Sequence, residues 1–230
     1  MSAMVSLERV YQKVIFDMDG TLVDSRAAVE REWRIWARKH GVSADEILAV
    51  SHGRRTQEIM RQFAPEGVDI DREASDLEMR ESDAREVCAV PGALELLRWI
   101  PDVDWAVVTS ASRELALRRL SQAGLLLPKL LISAEDVSRG KPQPQGYLLA
   151  IERMHARPRD CLVFEDAEAG ILAAKAAGCD VVAITAACPH PFEADCLTAE
   201  NFHCISFSLQ STTRPRRWQG GGSERGDDRD

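Results

Sequence analysis

The sequence lacks any apolar run close to the roughly 20 residues that span a bilayer. Its longest, around 125–132, is broken by Pro128 and Lys129. The start, MSAMVSLERV, has no basic end followed by an apolar stretch, so neither a secretory signal nor a membrane role is expected. There is no surplus of positive charge: 29 Lys+Arg face 37 Asp+Glu, a formal net of −8. That balance argues against a chain whose main work is gripping nucleic acid. No CxxC occurs among the six cysteines, and Cys88, Cys161 and Cys179 stand singly beside apolar or small residues. Reduced thiols in a cytoplasmic protein are the expectation. The late group Cys188, His190, Cys196, His203 and Cys204 follows no structural-zinc spacing and reads as loop and strand. No internal repeat is visible.

What is present is enough apolar residue, 45% of 230, to bury a sizeable core. Short runs rich in Val and Ile recur at 14–16, 105–109, 130–132, 161–164 and 181–184. They do not alternate with polar residues, as expected of strands buried on both faces. Helical stretches at 92–100, 113–123, 144–154 and 167–177 separate them, with Gly124 and Gly178 placed to end two of these. Strands alternating with helices predict an α/β fold, a Rossmann-like doubly wound parallel sheet. Residues 25–86 break the alternation with helical segments at 26–40, 44–50, 56–63 and 71–87. That block is far longer than a crossover needs and reads as a small helical domain inserted into the core. The expected division is a core of 1–23 and 90–210, a helical insert of 24–89, and a tail of 211–230. A last strand is placed at 201–209. The tail, rich in Gly, Arg and Asp, is expected to be disordered.

Open parallel sheets bind ligands at the carboxyl ends of their strands, and four such ends here carry polar residues. The first is Asp17-Met18-Asp19-Gly20-Thr21, where residues two apart in extended chain point the same way. Two such carboxylates can divide nucleophilic and proton-transfer work, or they can be solvated acids in a turn. The second carries the hydroxyls of 109–112, which serve equally as a helix N-cap or as phosphate donors. The third places Lys141 in a stiff turn between Gly140 and Pro142, as a point charge for an anion or as a solvated lysine. The fourth, Glu165-Asp166, offers either an N-cap or oxygen ligands for a hard cation such as Mg²⁺. Together, two acidic pairs, a hydroxyl and a lysine describe a Mg²⁺ site beside a phosphate site.

In these segments the chain resembles the haloacid dehalogenase superfamily of phosphohydrolases, over about residues 10–185. DMDGT with LVDS after it resembles the first motif, and Ser110 falls at the second. Lys141 in GKPQP resembles the third, and Glu165-Asp166 in FEDAEAG the fourth. The helical insert resembles the small cap of the beta-phosphoglucomutase-like branch. The wording is closest to bacterial sugar phosphatases and to 2-deoxyglucose-6-phosphate and glycerol-phosphate phosphatases. The resemblance implies a Mg²⁺-dependent phosphatase of a small phosphorylated metabolite, a sugar or polyol phosphate, with Asp17 as nucleophile and Asp19 as general acid and base. It implies Ser110 and Lys141 as phosphate ligands. It places Mg²⁺ on the Asp17 carboxylate, the Asp19 carbonyl and Asp166, with Glu165 as a further or direct ligand.

In the insert, Glu30, His52, Arg54 and Arg55 are the candidate substrate contacts, the arginines reading equally as a solvated basic patch. Trp33 and Trp36, three residues apart, read as core of the insert. A monomer or weak dimer is expected. A phosphomutase of the same family and a non-catalytic phospho-ligand-binding protein are the alternatives. The resemblance implies a histidine about five residues beyond Asp24 in mutases, where this chain has Ala27-Ala28-Val29. Dehalogenation is disfavoured, because dehalogenases of the superfamily lack the acid found here as Asp19.

Overall fold

Strand β1 (Val5–Tyr11) precedes β2 (Lys13–Phe16), and β2 leads through the short β3 (Val23–Asp24) into four helices. These are α1 (Arg26–His40), α2 (Ala44–Ser51), α3 (Thr56–Phe63) and α4 (Ile70–Ser82). The chain returns through β4 (Cys88–Ala89). It then alternates through α5 (Ala93–Trp99), β5 (Trp105–Val108), α6 (Arg113–Gln122), β6 (Leu131–Ile132), α7 (Gln145–Arg153), β7 (Cys161–Glu165), α8 (Glu168–Ala176) and β8 (Asp180–Ile184). The strands β9 (Leu197–Ala199), β10 (Ile205–Leu209) and β11 (Arg216–Gln219) follow. This computed structural model describes residues 4–84, 86–187, 195–210 and 215–220.

Six parallel strands form the main sheet in the order β6-β5-β2-β7-β8-β9. The unbroken apolar runs are explained by burial on both faces. Val14 and Phe16 enter one hydrophobic cluster with Val107, Phe164 and the α5 and α6 residues Leu96, Leu115 and Leu120. Ile15 points the other way, with Val108, Val163 and the α7 and α8 residues Tyr147, Ala150 and Ile171. Helices therefore cover both faces, which is the doubly wound α/β arrangement expected. Strand β2 lies between β5 and β7, so strand order reverses there and a crevice opens beyond its carboxyl end. Asp17 is the next residue.

Helices α1–α4 pack around a cluster of their own, built on Trp33, Trp36, Ile47, Ile59, Met60 and Leu77. The Trp33 and Trp36 rings meet edge to face at 5.7 Å. Ser43 and Asp69 cap α2 and α4 by accepting from the Glu46 and Arg72 amides. Entry and exit lie side by side, with Val23 and Asp24 pairing antiparallel with Ala89 and Cys88. The fourth helix ends at Ser82, short of the expected 87.

Two expectations about the later chain need correction. Residues 205–209 do form a strand, but β10 joins β1 and β11 in a separate three-stranded sheet and does not extend the main one. The tail expected to be disordered contains β11, paired antiparallel with β10. Its alternation buries Trp218, whose indole Nε1 donates to the Phe202 carbonyl at 3.2 Å, while Arg216 lies over the Trp99 ring. One indole anchors a segment whose average composition is polar. Residues 211–214 and 221–230 lie outside the described residues, as do Cys188 and His190. The described cysteines are free.

Candidate active site

The loop after β2 is set by backbone bonds. The Asp17 amide donates to the Phe164 carbonyl at 2.9 Å, which continues the β2–β7 pairing by one residue, and the Leu22 and Val23 amides close back on the Met18 carbonyl. Gly20 has φ +85°, and a Cβ there would stand 1.8 Å from Asp166 Oδ2, so only glycine lets this turn pass over that carboxylate. Thr21 Oγ1 donates to Asp166 Oδ1 at 3.5 Å, which ties the first and fourth strand ends together.

Lys141 is not a solvated loop lysine. Its ammonium is buried and donates to Asp17 Oδ1, to Glu165 Oε1 at 2.6 Å and to the Val108 carbonyl at 3.2 Å. Burial alone would favour the neutral amine; the charges of Asp17 and Glu165 outweigh it and hold Lys141 protonated. Glu165 is fully buried, and each oxygen has two donors. Oε1 accepts from Lys141 and from the Tyr147 hydroxyl at 2.6 Å, and Oε2 accepts from the Asp166 and Ala167 amides. Gly170 makes room for it, since a Cβ there would fall 1.7 Å from Oε1.

Burial, reinforced by Glu165 and Asp19, pushes the Asp17 carboxyl well above its ordinary range against the pull of Lys141. Burial and then Asp17 do the same to Asp166. Three buried acids with one ammonium among them call for further positive charge. Among the described residues, Asp17, Glu165 and Asp166 are the group of three acids whose oxygens lie within 4.8 Å of one another. An all-oxygen donor set of this kind fits a hard divalent cation. Asp17 and Asp166 are the side chains with ligand capacity to spare, because Glu165 already has four donors.

The insert closes over this centre. Ser110, placed by β5, donates to the Gly53 carbonyl at 2.7 Å, while Ser112 is the residue that caps α6. A cavity of about 90 Å³ lies between core and insert, lined among others by Asp17, Asp19, Trp33, Ser110 and Asp166. His52 and Arg54 line it too, and Arg54 reaches Gln62 at 3.4 Å. Arg55 does not; its guanidinium donates to the Val137 carbonyl at 2.7 Å, docking the insert on the segment before Lys141. Glu30 is half-buried on α1 and lies outside the cavity lining. Trp33 contributes both to the insert core and to the cavity wall.

Three side chains of the site escaped the motif reading. Tyr147 holds Glu165 from α7. Arg119 on α6 and Glu81 on α4 form a buried ion pair at 2.9 Å, and Arg119 also pairs with Asp19 Oδ1 at 2.7 Å. In each helix the residue lies on the buried stripe, Leu115-Ala116-Arg119-Leu120 in α6 and Ala74-Leu77-Glu78-Glu81 in α4. A charge at a core position of an amphipathic helix was the available signal.

The model of the haloacid dehalogenase-like hydrolases matches residues 11–178, from the end of β1 to two residues beyond α8. The chain belongs to that family. This hydrolase is 43% identical over 182 residues to hexitol phosphatase A of Escherichia coli, covering 77% of this chain and 84% of the relative. It is 34% identical over 184 residues to glycerol-1-phosphate phosphohydrolase 2 of Saccharomyces cerevisiae, covering 74% of this chain and 73% of the relative. A beta-phosphoglucomutase from Clostridium difficile superposes with a TM-score of 0.72 at 20% identity, covering 84% of this chain and 92% of that one. The structural likeness concerns the fold. No helix among the described residues is long and apolar enough to cross a membrane.

Proposed function

We propose that this hydrolase is a Mg²⁺-dependent phosphatase of small sugar or polyol phosphates that works through an aspartyl-phosphate on Asp17. The observation that carries the reading is the buried Lys141 ammonium shared by Asp17 and Glu165 beside Asp166, at the sheet's switch point. The names of these two relatives support the substrate class. Mg²⁺ held by the Asp17 and Asp166 carboxylates and the Asp19 carbonyl would offset charge on the phosphoryl oxygens.

Asp17 attacks phosphorus, and the P–O bond to the sugar or polyol breaks with its electron pair leaving on oxygen. The Asp19 carboxyl gives that oxygen its proton. Asp19, now a carboxylate, takes a proton from water as the water oxygen attacks the phosphorus, which releases phosphate and restores Asp17. Lys141 and Ser110 donate to the phosphoryl oxygens, each exchanging a bond it makes here, Lys141 the one to the Val108 carbonyl and Ser110 the one to the Gly53 carbonyl. Lys141 neutralises the acidic cluster so that a dianion can approach. Helices α1–α4 act as a cap over residues 1–23 and 90–210, excluding water, with His52 and Arg54 at its mouth to receive the substrate.

The test is phosphate release from hexose, hexitol, glycerol and nucleotide monophosphates, with Mg²⁺ and with chelator. Release from polyol or sugar phosphates that needs Mg²⁺ and disappears in Asp17→Asn is expected. Turnover by Asp17→Asn would overturn the nucleophile assignment, and accumulation of an isomerised phosphate ester would make the protein a mutase.

A further inference from the structure

Arg119 is the most deeply placed arginine in the site, with its side chain 2% exposed on a helix whose other arginines, Arg113 and Arg118, are about half exposed. A buried guanidinium without acidic partners would be strongly destabilising, and this one has a carboxylate at each end of its fork. One nitrogen binds Asp19 Oδ1 at 2.7 Å; the other binds Glu81 Oε2 at 2.9 Å. Glu81 is itself buried and comes from α4 of the insert, whereas Arg119 belongs to α6 of the core. Asp19 Oδ1 accepts a second bond from Ser25 Oγ at 2.6 Å. Both donors converge on one oxygen of Asp19, which leaves Oδ2 to carry the proton that meets the departing oxygen. Arg119 lines the cavity but pairs with neither the nucleophile nor Asp166, and its ion pair with Asp19 is its link to the reacting groups.

We propose that Arg119 is the positioning residue for proton delivery by Asp19, and that its bond to Glu81 couples this positioning to the docked insert. The proposal rests on the phosphatase reading above. The planar fork is what the geometry demands: one cation must hold two carboxylates from different parts of the fold at fixed angles, and an ammonium has no such fork. While α4 is docked, Glu81 holds one arm of the guanidinium and the other fixes Asp19. When the insert lifts, Arg119 loses that anchor and Asp19 gains freedom to turn. Proton transfer is then competent only over a closed site, where the phospho-aspartate is shielded from stray water.

Leaving-group dependence separates this role from a structural one. An alkoxide leaves only as it is protonated, whereas p-nitrophenolate departs as a stable anion. The measurement is kcat/KM, which reports steps through departure of the leaving group, for glycerol phosphate, phenyl phosphate and p-nitrophenyl phosphate with Mg²⁺ present. Arg119→Met is expected to lose about 100-fold on the alkyl ester, carried by kcat, and under about fivefold on p-nitrophenyl phosphate. The plot of log kcat/KM against leaving-group pKa steepens accordingly. Glu81→Gln shows the same pattern at about tenfold. Should Arg119→Met fail to fold, Arg119→Lys, which keeps the charge without the fork, is expected to show the same steepening. Equal losses on all three esters, or no loss on any, would overturn the proposal. A wild type active on aryl esters alone sinks the sugar-phosphate reading while the phenyl and p-nitrophenyl comparison still decides Arg119. A wild type inactive on every ester sinks both.

Discussion

The two walls of the site are held in different ways. On the core side, Lys141, Glu165, Tyr147 and the amides of Asp166 and Ala167 form a buried network in which Glu165 has two donors on each oxygen. On the insert side, one buried ion pair, Glu81 with Arg119, stands apart, and the other bonds at the site mouth use backbone atoms: Ser110 to the Gly53 carbonyl, Arg55 to the Val137 carbonyl, and the Gly140 amide to Glu58. A network of mutually satisfied buried charges cannot shift without leaving one unpaired. A few bonds to carbonyls and one from a half-buried amide can be traded for water or substrate at little cost. Apart from that ion pair, rigid chemistry and exchangeable closure are thus assigned to different wall materials, and substitutions at the backbone bonds of the mouth should act on KM where those in the core network act on kcat.

The largest effect is expected at Lys141. Lys141→Ala should lower kcat by about 10³-fold and destabilise the core by about 3–5 kcal/mol, since Asp17 and Glu165 lose their shared cation. Steady-state kinetics and denaturant unfolding measure both, and a fall in KM alone would break the comparison. On the insert side, Gly53→Val adds a Cβ that would meet Ala167 Cβ at 2.8 Å, at a residue with φ +73°. It should hold the insert off the core and reduce kcat/KM by about 10²-fold, mainly through KM, and the strain of a β-branched residue at positive φ should lower stability by about 1–3 kcal/mol. A loss confined to kcat would show that the loop serves the chemistry directly. Tyr147→Phe removes one of the two donors to Glu165 Oε1 and should cost about 1–2 kcal/mol of stability with a modest loss in kcat.

The smallest expected effect is a pH slope. Burial, against the pull of Arg119, raises the Glu81 carboxyl to about 7. A carboxyl raised in the folded state binds its proton more tightly there than in the unfolded chain. Its contribution is therefore complete below the ordinary glutamate range and is lost as pH climbs through about 7. The Tm of the wild type should fall relative to Glu81→Gln between pH 5 and pH 8. A difference that stays flat across that window would show that Glu81 is charged throughout.

The two walls also differed in how far the sequence disclosed them. Asp17, Lys141, Glu165 and Asp166 follow short apolar runs, and a parallel sheet delivers every such strand end to one edge, so linear spacing carried the geometry. The insert offers no such rule. Which face of α1 meets the core depends on how the helix pack sits, so linear position does not distinguish Glu30, which lies outside the cavity lining, from Glu81, which belongs to it. Arg119 was hidden among three arginines of RELALRRL, two of them exposed. The stripe shared with Leu115 and Leu120 singles it out, but its partners are fixed only when α4 docks. The short β11 was masked for a related reason: composition averages over a window, whereas Trp218 acts as one residue.

The paired strands β3 and β4 have a consequence for the ancestry of such a molecule. Because Val23 faces Ala89 and Asp24 faces Cys88 across a single ladder, the insert begins and ends at neighbouring points. To the sheet it is a loop whose ends are already closed, and closure cost grows only slowly with loop length. Segments between those two strands can be lengthened, trimmed or exchanged as a cassette while β2, β5 and β7 keep their register. New pocket walls can therefore be sampled by recombination at one ladder, without disturbing Asp17, Lys141, Glu165 or Asp166.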